Sequence, residues 1–404
     1  MKKEKSEIKK NIILLALIQF LSQIDFYSAI AILYFTEVTG SFMLGMSVYS
    51  ITTLATAIFE LPTGILSDKI GRKKTIILGS TFSIAASIVL LLSNNYLGLV
   101  LYSITRGLEK ALFSGNNDAY LYDKLKESKE EHRFIDFVSK VKSMTYLAGA
   151  ISALIGGIFL FFKSYKFVIA ISIIPKIIQW LVSFGLDEAY SKKAKENNAI
   201  NSVVNPLKAV MKNKLLLKKI CADSIMHSIT ESCFQFRSTF YELVWPTWAV
   251  GLPRVLSNVG AFLSDWFGEK IIKKIEKKKV VIYSVIYSIF SNVLAVVMNN
   301  VISPIVMVSN SLLQTDYIEA EMEQKLYRDE YRASMGSIKA LFESIMFSIL
   351  SIILGLVADK FSVITSFVVF QLMRVIPLLI IKNVMEKIDE IDKVKKLKEP
   401  LRKN

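Results

Sequence analysis

The chain has 404 residues, 52% of them hydrophobic, and carries 50 Lys and Arg against 35 Asp and Glu, a formal charge of +15. A mean hydropathy of +0.43 excludes an ordinary soluble domain of this length and indicates a polytopic membrane protein. The basic excess lies between the apolar runs, where the positive-inside rule places it, so a nucleic-acid partner is set aside.

Met1 to Lys10 holds five lysines, and no small-residue cleavage site follows, so the first apolar run is read as a retained span. A bilayer core of about 30 Å takes about 20 apolar residues per helix. Runs near 11-34, 43-66, 74-93, 97-119, 141-162 and 166-186 meet that length, giving an N-terminal six-helix bundle over 1-186. Residues 187-219 turn polar and basic and read as a cytoplasmic linker, with room for a short amphipathic helix on the inner surface. Runs near 220-243, 247-268, 279-299, 301-321, 336-357 and 362-384 make a second six-helix bundle over 220-385, and 386-404 forms a basic cytoplasmic tail. The expected fold is therefore an all-α membrane protein with twelve transmembrane helices in two pseudo-symmetric six-helix bundles.

Lysine and arginine cluster at both termini and in alternate loops, including Lys69, Arg72, Lys73 and Lys74, whereas the turns Thr36 to Ser41 and Ser93 to Tyr96 carry none. Both termini are placed in the cytoplasm of a cell whose inner membrane the chain crosses. Spans seven and eight are the most polar, with Asp223, His227, Glu231 and Arg237 in one and Pro246, Pro253 and Arg254 near the other. Irregular backbone is expected there, facing the interior.

Between spans two and three lies Gly64-Ile65-Leu66-Ser67-Asp68-Lys69-Ile70-Gly71-Arg72-Lys73-Lys74. Arg106-Gly107 with Ala111 and Gly115 follows in span four, and Glu60-Leu61-Pro62-Thr63-Gly64 and Ser114 to Asp123 flank these stretches. Gly260 to Gly268 with Asp265 and Arg332-Ala333-Ser334 echo them in the second half. Together with the helix count, these residues resemble the major facilitator superfamily, and within it a bacterial drug/proton antiporter-like branch. One motif departs: Gly156-Gly157 is present in span five, but Ser152-Ala153 stands where antiporters carry Gly-Pro.

The resemblance implies a cytoplasmic latch made by Gly64, Asp68, Gly71, Arg72 and Lys73, with Asp68 near the start of helix eleven and Arg72 reaching Asp118 or Asp123. The lysines serve orientation equally well, but an acid inside a basic loop does nothing for orientation. At membrane depth, an ionisable side chain is expensive unless it faces partners or water. Asp25, Arg106 and Glu109 lie near mid-span, open to an ion pair between helices one and four or to a proton or substrate site. Asp223, His227 and Glu231 recur every four residues and share one helical face, drifting about 40° per step. A histidine between acids suits a proton site.

Cys221 and Cys233 lie in one predicted span without Cys-x-x-Cys spacing, and His132 and His227 are isolated, so no disulfide, metal or cofactor is expected. The same lack of a reactive constellation argues against an enzyme, and the short tail argues against a sensor. The expected function is secondary active transport of a small molecule by a lipid-embedded monomer, proton-coupled and outward, with a hydrophobic or cationic substrate favoured. Uptake of a polar metabolite is the alternative.

Overall fold

The computed structural model describes residues 2-127, 129-162, 164-188, 207-208, 210-272, 276-313 and 332-398. Most of the 187-219 linker and part of the tenth predicted span fall outside these residues. The described chain is helical: α1 (Lys2–Ser22), α2 (Ala31–Thr39), α3 (Phe42–Ile70), α4 (Arg72–Leu92), α5 (Tyr96–Phe113), α6 (Asn116–Glu127), α7 (Phe134–Phe162) and α8 (Tyr165–Phe184) come first. After the linker come α9 (Lys214–Val244), a short 3-10 turn, α10 (Leu252–Ile272), α11 (Lys277–Met298), α12 (Ser303–Val308), α13 (Arg332–Lys360), α14 (Val363–Met373) and α15 (Val375–Lys398).

The predicted uncharged turns are tight and capped. Gly40 ends α2 at φ +69°, a conformation that costs glycine little. Ser41 then caps α3 by accepting from the Leu44 amide at 3.3 Å, and Asn95 caps α5 through the Gly98 amide at 2.9 Å. Helix α15 runs on into the 386-404 stretch as far as Lys398. No glycine or proline interrupts it before Pro400.

The first predicted span is not one helix. It breaks between α1 and α2, over Gln23 to Ile30, and the fourth bends where Gly115, at φ +66°, separates α5 from α6. Spans seven and eight, expected to be irregular, are less so: α9 is continuous, and only the 3-10 turn Thr247–Gly251 precedes α10.

Among the described residues, seven helices are long and apolar enough to cross a membrane by composition. Helices α1, α5, α9 and α10 fall outside that set, and α5, α9 and α10 carry the charges of the interior described below. Helices α1 to α8 pack chiefly on one another, as do α9 to α15; the seams between these groups are α3 on α13, α2 on α9 and α7 on α10.

Candidate functional site

The break at Gln23 to Ile30 leaves backbone groups that a helix would have satisfied, and buried groups of this kind need partners. Side chains from distant helices supply them. Ser172 accepts from the Phe26 amide at 3.0 Å, Lys176 donates to the Ser22 carbonyl at 2.6 Å, Arg254 donates to the Ser28 carbonyl at 3.0 Å, and Ser238 donates to the Ala29 carbonyl. Helix α7 comes so close that a Cβ on Gly156 would sit 1.9 Å from the Phe26 carbonyl oxygen.

The unwound stretch presents Asp25 to two cations. Arg106 forks between Asp25 at 2.5 Å and Glu109 at 2.6 Å, while Lys176 Nζ lies 2.9 Å from the other Asp25 oxygen. Ser83 donates to Glu109 at 2.9 Å, and the Tyr27 and Tyr102 hydroxyls meet at 3.1 Å. Two carboxylates thus face two cations, which meets the condition for burying charge: each ion retains a partner. The sequence reading brought Asp25, Arg106 and Glu109 together but missed Lys176, which is fully buried. Its signal was plain, a lone lysine in Ile173-Ile174-Pro175-Lys176-Ile177-Ile178.

Beside this network opens a cavity of about 330 Å³, bounded by both helix groups. Asp25, Arg106 and Lys110 line it from one group, and Phe234, Gln235 and Arg254 from the other. Helical geometry puts His227, Glu231 and Phe234 within about 60° of arc, so the acid and the histidine share the stripe that reaches the cavity. His227 is exposed and Glu231 half-buried, its carboxylate accepting from Gln235 at 2.6 Å. Asp223, at the foot of the same stripe, is buried and paired with Lys219 one turn away.

At the end carrying the basic loop, Arg72 pairs with Asp68 at 2.9 Å and with Asp123 at 3.7 Å, and donates to Ser67 at 2.9 Å. Burial lifts the Asp123 carboxyl above the ordinary carboxylate range, against the opposing pull of Arg72. Asp118 lies half-buried in the first turn of α6. Gly71, at φ +97°, leaves room for Glu188, whose carboxylate accepts from the Lys73 amide at 3.3 Å. Asp68 is thus held by Arg72 within its own loop. Among the described residues nothing lies within 4 Å of a Cβ built on Gly64, and Ile58, Leu61 and Ile65 are exposed.

The seam closes at the opposite end. Ser50 and Ser351 hydroxyls meet at 2.6 Å, and Ser348 donates to the Ser50 carbonyl at 3.3 Å. Asp359, at the end of α13, accepts from Ser41 at 2.6 Å and from the Phe42 and Met43 amides at 2.7 and 3.0 Å. A carboxylate on the first turn of α3 is favoured by its free amides and dipole. Gly355 and Gly157 let α13 and α7 reach the Phe42 and Trp248 backbone, each Cβ position lying 2.5 Å from a carbonyl oxygen. The sequence reading missed Asp359, although Gly355-x-x-x-Asp359-Lys360 repeats the spacing of Gly64-x-x-x-Asp68-Lys69.

Comparison with known proteins places this architecture. The family model described as Major Facilitator Superfamily matches residues 15–318. An uncharacterised MFS-type transporter of Methanocaldococcus jannaschii is 29% identical over 29% of this chain and 34% of its own length. An uncharacterised transporter of Buchnera aphidicola subsp. Schizaphis graminum is 25% identical over 50% of each chain. The chain therefore spans half or less of the curated relatives it matches. Among solved structures, the nucleoside transporter NupG superposes with a TM-score of 0.80 at 13% identity, over 94% of this chain and 99% of that one. A peptide transporter POT in complex with alafosfalin gives 0.74 at 14% identity, over 95% and 98%; these likenesses concern the fold. With the family model running through three quarters of its length and solved structures matching its fold nearly end to end, the chain belongs to the Major Facilitator Superfamily.

Proposed function

We propose that the protein is a secondary active transporter that moves a small molecule by alternating access, with α1 to α8 and α9 to α15 as two six-crossing bundles that rock about the cavity. One observation carries this reading: a cavity bounded by both helix groups, with its seam joined at the Asp359 end and, among the described residues, nothing against Gly64 at the other. The positive-inside rule makes the open end cytoplasmic, so the protein works as a multi-pass carrier of the cell's inner membrane with both termini inside. It acts as a monomer, and Asp68 and Arg72 hold the basic loop in one shape for the reverse closure.

Proton coupling is assigned to Glu231 and His227. Asp25, Glu109 and Asp223 are each held by a cation, whereas Glu231 has no cation within ion-pair distance among the described residues. A carboxylate without a fixed counter-charge at the cavity can take up and release a proton as access switches. Outward transport follows from the antiporter resemblance, to which Gly156-Gly157 contributes by seating α7 against the closed seam.

The test is transport in proteoliposomes under an imposed pH gradient. Substituting Glu231 and His227 by Ala should remove the pH dependence and leave exchange at equal pH. Unchanged pH dependence would refute the proton assignment, and inward substrate movement driven by the gradient would replace efflux with uptake.

A further inference from the structure

We infer that the molecule carried is a small organic anion, a carboxylate or phosphate ester on an aromatic body. This rests on the transport reading above and names its substrate.

Charge at the cavity decides the class. Asp25 and Glu109 are matched by Arg106 and Lys176, so this network carries no net charge toward a ligand. What remains is positive. Lys110 and Arg254 both line the cavity, and among the described residues neither has a carboxylate within ion-pair distance. Lys110 is exposed. Arg254 spends one guanidinium nitrogen on the Ser28 carbonyl and keeps its other donors. Arg237, outside that lining, borders the adjoining pocket with Phe234, Gln235 and Arg254 and adds a third cation nearby, its Nε buried without a partner among the described residues. Against the three stands Glu231.

Coulomb interactions are stronger in a cavity of low dielectric than in water, so such an excess discriminates between charged solutes. A cationic solute would meet like charges on both walls. An anionic head would meet donors whose geometry suits carboxylate and phosphate. The same space also suits a ring, since Tyr27, Phe35, Tyr49 and Tyr102 line it. Phe234 stands between the Arg254 and Arg237 guanidinium carbons, which lie 5.2 and 5.7 Å from its centroid, so cation-π contacts hold it as one wall of the site. The polarity is opposite to the cationic substrate favoured from sequence, which counted acids at membrane depth before their partners were visible.

The experiment is ligand-induced thermal stabilisation of the purified full chain in detergent, with benzoate, phenyl phosphate, benzylamine and benzyl alcohol as probes of similar size. Benzoate or phenyl phosphate should raise the melting temperature saturably, the stronger of the two identifying the head group, while benzylamine should not. Lys110→Gln should weaken the apparent affinity for the anion by tenfold or more without changing the melting temperature of the free protein. Arg254→Gln should weaken it as well, with a lower melting temperature of the free protein because the Ser28 carbonyl loses its donor, and Arg254→Lys, which keeps the charge, should retain part of the binding.

Stabilisation by benzylamine in place of the anions, no stabilisation by either anion, or unchanged anion affinity in Lys110→Gln would each overturn the inference. Labelling of a cysteine at Gln235 from the two sides of the membrane uses no substrate and reports on alternating access separately. Alternation without anion binding would remove the anion and keep the transporter.

Discussion

Replacing Lys176 with Met removes a fully buried ammonium that lies 2.9 Å from Asp25 and donates to the Ser22 carbonyl at 2.6 Å. Asp25 keeps Arg106, but that guanidinium is already shared with Glu109, so two carboxylates are left on one cation. Removing one member of a buried ion pair typically costs about 3–5 kcal/mol, and the orphaned carbonyl of the break adds about 1 kcal/mol. Asp25→Asn in the Lys176→Met background restores neutrality, leaving Arg106 with Glu109 alone. The double variant should therefore recover much of the loss, with a coupling of about 2–3 kcal/mol between the sites. Unfolding by SDS titration in mixed micelles, followed by far-UV circular dichroism, measures all four corners of the cycle. A Lys176→Met variant within about 0.5 kcal/mol of wild type, or strictly additive losses, would refute the closed network.

Asp359→Asn keeps the size of the cap on α3 but removes its charge; at this exposed site the loss is about 1 kcal/mol, enough to raise the population opened at that end about fivefold. The labelling rate of a cysteine at Gln235 from the Asp359 side should rise by that factor, and an unchanged rate would contradict the cap. Gly156→Ala forces a methyl against the Phe26 carbonyl and should cost about 1–3 kcal/mol or prevent folding. Gly64→Ala, with nothing within 4 Å, should leave the melting temperature as it is; equal effects at the two glycines would refute this assignment of close approach. Beyond α8, the Asn11 side-chain amide donates to Asp187 and holds its carboxyl below the usual range, with Lys10 and Lys124 assisting. A depressed folded value contributes stability above the unfolded value of about 3.9 and loses it as pH falls through the folded one. The melting-temperature gap between wild type and Asp187→Asn should accordingly narrow below about pH 4, and a constant gap down to pH 3 would refute it.

Much of this architecture is written in local pattern. The apolar runs and the basic punctuation place α3, α4, α7, α8, α11, α13 and the run from α14 into α15, because length and hydropathy alone decide those spans. The meeting of Asp25 with Arg106 and Glu109 was also legible, since charges at depth must find one another. The break before α2 was not. Gln23 to Ile30 holds no proline or glycine, and its open backbone is stabilised by Lys176, Ser172, Arg254 and Ser238, each over a hundred residues away. The basic loop was legible as a unit, and the four-residue spacing of Asp68 and Arg72 allowed an ion pair if the helix ran that far. Helix α3 does run to Ile70, and Asp68 pairs with Arg72 one turn on. Asp359 escaped notice for the same reason as the break: its partners on α3 lie more than three hundred positions upstream.

Alternating access is tested most directly with cysteines at Ser50, Ser351 and Gln235 in a chain whose native Cys221 and Cys233 are replaced. The Ser50 and Ser351 oxygens are 2.6 Å apart, so an oxidised pair should lock the seam. Gln235 lines the cavity and reports which side reaches it. With the pair reduced, an impermeant maleimide should label position 235 from either face of the membrane. With the pair oxidised, labelling should persist from the face carrying Lys69 to Lys74 and vanish from the other. Labelling from both faces through a locked seam, or from one face in both states, would contradict a cavity that opens alternately to the two sides.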